Sequence, residues 1–176
     1  AEQSHLWIDY NWALYRLMER FSKEFPNVMA MLCAGGSGRV DYGALPYFHS
    51  FWPSDNTDPL GRIKIQWGFS HFFPASTISA HVTRMGKRHL KLAIDVALSG
   101  AFGIDLALDK ATAEERVQIA DAVKLYKASI RPLVMQGELY RLVSPYEHPM
   151  ASLSYVSTDK NDAVVYLYPV SYTHLT

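Results

Sequence analysis

The chain has 176 residues, enough for one domain with a sizeable core, and 49% of them are apolar. Seventeen Lys and Arg residues balance 17 Asp and Glu, so neither a charged disordered tail nor a polyanion partner such as nucleic acid is indicated. No apolar run approaches the roughly 20 residues that cross a bilayer. The single cysteine, Cys33, excludes an internal disulfide and a zinc site of the paired-cysteine kind, and leaves the compartment open between periplasm and cytoplasm.

The first residues, AEQSHLWIDY, hold neither a basic start nor a hydrophobic signal core and no initiator Met; a processed chain, an expression product and a fragment all fit. Over 8–25, Trp12, Leu14, Tyr15, Leu17, Met18 and Phe21 form an apolar stripe at helical spacing, a packing face, and Pro26 ends the predicted helix. NVMAMLC then reads as a short strand buried on both faces, followed by glycines at 35, 36 and 38. A helix is expected over 59–69, a strand over 76–82, a helix over 90–98 and a second buried-type strand over 101–108. Thr112 and Glu115 form a capping box that opens a long helix.

This alternation over 1–130 predicts a parallel-sheet α/β architecture for a first unit taken as 1–136. After Pro132 the texture changes, and SLSYVSTDKNDAVVYLY predicts an antiparallel hairpin turning at 159–162. A domain boundary is expected near 137–149, with a β-domain starting at 137–169. The last residues, 170–176, back-translate to a sequence that looks like a transposon-end adapter used in preparing sequencing libraries. They are read as an artefact on a natural chain that continues past about 167.

In a βα fold, ligands gather at the C-terminal ends of the strands. Two segments fall there. CAGGSGRVDYG, 33–43, is either a plain flexible loop or one whose main-chain N–H groups approach a ligand, and it lacks the ending of a phosphate loop. FWPSDNTDPLGR, 51–62, places Asp55 and Asp58 three residues apart. Thr57 or Asp58 with Pro59 makes a good helix start, which leaves Asp55 as a loop residue. Alternatively, Asp55 beside Trp52 in a partly dry cleft is a general acid. Spacing alone also allows Asp41 and Asp55 as an acid/nucleophile pair. The spacing of His71, His81 and His89 matches no ligand motif, so structural roles are expected for them.

CAGGSGRVD, then WPSDNTD, then RIKIQWGFSHFFPASTISAHVT, closely resemble glycoside hydrolase family 36, the α-galactosidases, and GELYRLVSP, 137–145, looks like that family's exit from its barrel. The resemblance implies the later part of a (β/α)8 barrel followed by the start of an antiparallel β-sandwich domain. It also implies a retaining hydrolase of terminal α-galactosyl residues in raffinose- or melibiose-type oligosaccharides, without metal or cofactor, and, as in many family members, a homo-oligomer. Asp55 matches the acid/base, and Asp58 the second, non-catalytic Asp of the motif. Cys33 and the Gly36 backbone match positions touching galactose hydroxyls, with Arg39 and Trp52 supporting the site.

The family nucleophile lies in a Lys-Trp-Asp motif that this chain does not contain. The resemblance therefore also implies a fragment, inactive alone, and argues against Asp41 as the nucleophile. Ser37, Met31-Leu32, Pro53 and Pro59 depart from the family pattern and leave linkage preference open. A raffinose-synthase-like galactosyltransferase shares the same chemistry, and a non-catalytic sugar-binding barrel is the alternative from another class.

Overall fold

The computed structural model describes residues 3–170. The expected adapter-like tail, from residue 171 on, lies outside them. Helix α1 (Leu6–Glu24) is followed by two short strands, β1 (Met31–Leu32) and β2 (Ser50–Phe51). Next come α2 (Pro59–Phe69), β3 (Ser79–Val82), α3 (Leu90–Ala97), β4 (Ala101–Ile104) and α4 (Ala113–Leu125). A π-helical turn (Tyr126–Ile130) joins α4 to α5 (Arg131–Gln136), and β5 (Glu138–Val143), β6 (Met150–Val156) and β7 (Ala163–Pro169) close the described chain.

β1 pairs parallel with β2 and β3 with β4, and a single parallel bridge, Phe51 to Ile78, joins the two pairs. The register sends Leu32, Phe51, Ile78, Ala80 and Val82 towards the helices, where all are buried. The opposite face carries Met31, Ser50, Ser79, His81 and Gly103. Met31 is 48% exposed and Met29 76%, so the expectation that NVMAMLC is buried on both faces is wrong. Among the described residues only the helical side of β1 is covered.

Strands β3 and β4 are also shorter than predicted. A 3-10 turn, Ala75–Thr77, occupies the start of the 76–82 segment, and 101–108 leaves the sheet after Ile104 to form another 3-10 turn, Leu108–Lys110. The α1 stripe packs only in part: Leu14, Tyr15 and Met18 are half-buried while Trp12 is 59% exposed. One side of α1 rests on the small cluster of Leu32, Ala44, Phe48 and Phe51, and that contact is narrower than the stripe.

The capping box at Thr112 and Glu115 is present in full. Pro132 does not end the helix. It has no N–H to give, and the wider π turn just before it absorbs that loss, so helix resumes until Gly137. A Cβ at Gly137 would lie 2.5 Å from the Leu133 carbonyl and 2.7 Å from that of Val156, which is why the first strand of the sheet can start against the helix end.

The sheet order β5-β6-β7 is antiparallel throughout, and β6 and β7 form the expected hairpin. Its inner face shares one apolar cluster with α2, α3 and α4, running from Ile63 to Tyr168. Four tyrosines tie the sheet and the π turn to the end of α3. The hydroxyls of Tyr168, Tyr166, Tyr155 and Tyr126 donate to the carbonyls of Asp95, Leu98, Ser99 and Gly100, at 3.2, 2.9, 2.7 and 2.9 Å. Asp95 lies in the last turn of α3, whose carbonyls a helix end leaves without partners, and Leu98, Ser99 and Gly100 lie in the turn that follows it. Burial pushes the hydroxyl pKa values of Tyr155, Tyr166 and Tyr168 well up, so all three remain donors.

Tyr155→Phe removes one of these donors and leaves a buried carbonyl bare. It is expected to cost about 1–3 kcal/mol, read as a lowered thermal midpoint. An unchanged midpoint would show that Ser99 finds another donor.

Candidate active site

The parallel strands end on one side of the molecule, and there the chain brings its unusual segments together. β1 runs into Cys33 and the Gly-rich loop, β2 into Trp52 to Asp58, β3 into Thr83, and β4 into Asp105. The Trp52 N–H donates to the Leu32 carbonyl at 2.9 Å and the Asp105 N–H to that of Val82 at 3.0 Å, so strand pairing carries up to the loops.

The Gly-rich loop is tight. Gly35 and Gly36 have φ of 58° and 80°, in the left-handed region, and the Ala34 N–H closes the turn on the Gly36 carbonyl at 3.0 Å. Gly36 is buried, and a Cβ there would meet Ser54 Cα at 3.0 Å and Asp55 N at 3.6 Å. The two segments singled out from sequence thus touch through a glycine.

Gly36→Ala in the full-length protein is expected to lower kcat/KM about 10- to 100-fold by pushing the Asp55 loop aside. Gly35→Ala shares the positive φ but meets nothing within 4 Å, so it reports backbone strain alone. Equal losses in the two variants would refute the role of the Gly36 contact.

Asp55 is exposed, and its Oδ1 accepts the indole N–H of Trp52 at 2.9 Å. The partly dry cleft expected around it is not formed by the described residues: Trp52 presents its polar edge to the carboxyl. The loop itself is held on several sides. Thr57, buried, shares a hydrogen bond between hydroxyls with Thr83 at 2.8 Å. The Asn56 amide N–H donates to Ser54 Oγ at 3.1 Å, and Asn56 Oδ1 accepts from the Asp58 N–H at the same distance.

Asp58 makes the helix start expected from the motif. Its Oδ2 caps α2 on the Gly61 N–H at 3.4 Å, with Pro59 in the first turn, while Oδ1 accepts from Arg88 Nε at 3.2 Å. A Cβ on Gly86, where φ is 76°, would fall 1.9 Å from that Oδ1, so the glycine makes room for the cap.

Asp41 is drawn elsewhere. It caps the 3-10 turn Tyr42–Ala44 through the Ala44 N–H at 2.9 Å and accepts the Tyr15 hydroxyl at 2.6 Å. Burial, with Asp41 adding to it, pushes the Tyr15 pKa up to about 12. Both contacts give Asp41 a structural task and leave Asp55 without it as a paired nucleophile. Cys33 and Arg39 are exposed on the same loop as Gly36.

Arg62, which sequence reading passed over, and His81, read there as structural, sit directly under the acid loop. Arg62, on α2, places its guanidinium 5.3 Å from the Trp52 ring centre. His81, on β3, meets the same indole edge-on at 4.8 Å. Burial lowers the His81 pKa, Arg62 lowers it further and Asp105 opposes them, which favours the neutral ring. For Arg62 the signal in the sequence was its i, i+4 pairing with Gln66 within a helix. Among the described residues, no three His, Cys, Asp or Glu side chains are grouped to hold a metal ion.

Comparison with known proteins gives this arrangement a family. The Melibiase family model matches residues 1–137. α-Galactosidase AgaA of Geobacillus stearothermophilus is 40% identical over 162 residues, covering 89% of this chain and 22% of AgaA. α-Galactosidase 1 of Pediococcus pentosaceus is 34% identical over 172 residues, 94% of this chain and 23% of its own length. The chain thus spans less than a quarter of these curated relatives. The galactosidase domain of the α-galactosidase–sucrose kinase AgaSK, at 32% identity, superimposes with a TM-score of 0.91 over 98% of this chain and 25% of its own. A variant of the family 36 enzyme AgaA in complex with raffinose superimposes at 0.84, with 38% identity, over 89% of this chain and 22% of that one. With the family pattern matched across most of its length and its fold shared with such structures, the chain belongs to the melibiase family.

Proposed function

We propose that this chain carries the acid/base and part of the sugar site of a retaining α-galactosidase. Its parallel strands and their helices, over 1–136, form a sector of a (β/α)8 barrel, and 137–169 begins a C-terminal β-domain. The alternation of parallel strands with helices and the uncovered inner face at Met31, Ser79 and His81 support the barrel reading.

The observation that carries the proposal is Asp55: a solvent-facing carboxyl at the end of a parallel strand, its Oδ1 fixed by Trp52 and its backbone against Gly36. In the first step Asp55 protonates the glycosidic oxygen as the C1–O bond breaks and the galactosyl group passes to a carboxylate nucleophile from a part of the protein that this chain does not contain. In the second step the Asp55 carboxylate takes a proton from the water that attacks C1, which frees galactose and restores the nucleophile. Cys33, the Gly36 N–H, Arg39 and Trp52 bound the space for the galactosyl ring. No step calls for a metal or cofactor.

Raffinose-type oligosaccharides are the proposed substrates, in keeping with the raffinose and stachyose complexes of AgaA variants. The test is to recover the full gene and assay its product on a nitrophenyl α-galactoside, with product analysis in concentrated acceptor sugar. Free galactose as the main product supports the hydrolase, and a transferred galactosyl group as the main product overturns it. Failure to cleave any α-galactoside overturns the reading as a whole.

A further inference from the structure

We propose that Arg62 is a positioning residue for the Asp55 carboxyl, acting through the Trp52 ring and the Ser54 carbonyl. The proposal rests on the reading of Asp55 as the acid/base.

Arg62 is only 2% exposed. Burial lowers its pKa to about 10, which still leaves it charged at neutral pH. Among the described residues its hydrogen bonds all go to neutral acceptors. Nε donates to Gln66 Oε1 at 3.1 Å, one terminal nitrogen to the Ser54 carbonyl at 3.2 Å, and the other to the Ser79 carbonyl. A buried cation on such partners costs stability that an apolar side chain of similar volume would not. What the guanidinium provides instead is a rigid planar fork with fixed donor directions.

That fork brackets the acid. Ser54 immediately precedes Asp55, and Trp52, under which the guanidinium lies, holds Asp55 Oδ1. One side of Arg62 therefore sets the backbone height of the residue before Asp55. The other sets the plane of the indole whose N–H aims the carboxyl. The third arm, to Ser79, ties both to β3.

Arg62 is itself held from behind. Gln66 Nε2 donates to the Val96 carbonyl at 3.2 Å and to Ser99 Oγ at 3.1 Å, and the Ser99 carbonyl takes the Tyr155 hydroxyl of the C-terminal sheet. A continuous run of polar contacts thus joins that sheet to the acid loop.

The test uses the full-length protein and compares kcat/KM, which reports the first, bond-breaking step, on two substrates. Raffinose expels sucrose through an alkyl oxygen and needs the proton of Asp55. A 2,4-dinitrophenyl α-galactoside expels a stable phenolate without it. Asp55→Asn calibrates the split. Arg62→Met, which keeps volume and removes the fork, is expected to lose about 10- to 100-fold on raffinose and less than about threefold on the dinitrophenyl substrate. Arg62→Lys should fall between wild type and Arg62→Met.

Equal losses on both substrates, or none on either, would overturn the proposal, because a merely structural arginine does not discriminate between leaving groups. Should Arg62→Met fail to fold, Arg62→Lys and Gln66→Met decide by the same ratio. If Asp55→Asn splits the substrates and the Arg62 variants do not, only the positioning role fails. If Asp55→Asn shows no split, the acid reading fails and this proposal with it.

Discussion

Asp55→Asn in the full-length protein is expected to lower kcat/KM for an alkyl α-galactoside by about 100- to 10,000-fold, the range that general acid catalysis supplies. The amide has nearly the volume of the carboxyl and can still accept the Trp52 N–H, so the loop keeps its geometry. It cannot deliver a proton to a leaving alkoxide, nor take one from the incoming water. The matching control is Asp58→Asn. Asparagine caps a helix as well as aspartate does, and the pair lost with Arg88 is partly solvent-exposed, worth about 1 kcal/mol or less. Its kcat/KM should therefore change by no more than a few-fold. A large loss in Asp58→Asn with little in Asp55→Asn would reverse the assignment of the two carboxylates; near-wild-type rates in both would remove this motif from the chemistry.

The difference between those two residues was legible in the sequence only in part. Capping preference and Pro59 gave the start of α2 to the residue, because both are local properties of the backbone. The same is true of the Thr112 capping box and of the β6–β7 hairpin. What sequence could not show was contact between distant segments. Gly36 reads as flexible in isolation, yet its missing Cβ is what lets residues 54 and 55 approach. Arg62 gives no more than an i, i+4 spacing with Gln66, which does not reveal that the helix presents it inward, beneath Trp52. Tyr155, Tyr166 and Tyr168 read as alternating strand residues, and nothing in that alternation reveals that their hydroxyls reach the carbonyls at the end of α3. The over-prediction of burial in β1 has the same origin. An apolar run reports that a strand can be covered on both faces, and says nothing of where the second cover comes from.

The isolated 176-residue chain is expected to cleave a nitrophenyl α-galactoside no faster than buffer does. A retaining mechanism needs two carboxylates roughly 5–5.5 Å apart. Asp41, the second carboxylate nominated from spacing, is engaged by Tyr15 and the Ala44 N–H at the start of a 3-10 turn. The proposed nucleophile motif is absent from the sequence. Folding poses a second difficulty. Met29 and Met31 expose apolar surface on the inner side of the sheet, and among the described residues β4 pairs with β3 alone. An uncovered apolar face beside an open strand edge favours self-association, so the chain should bind a hydrophobic dye and sediment as a concentration-dependent mixture. In the full-length protein, the further strands of the proposed barrel should abolish dye binding and restore turnover together, because the same strands would cover Met31 and supply the nucleophile. Turnover by the isolated chain would mean that its nucleophile lies within these residues, and Asp105, at the end of β4 on the same side as Asp55, would be the next carboxylate to replace.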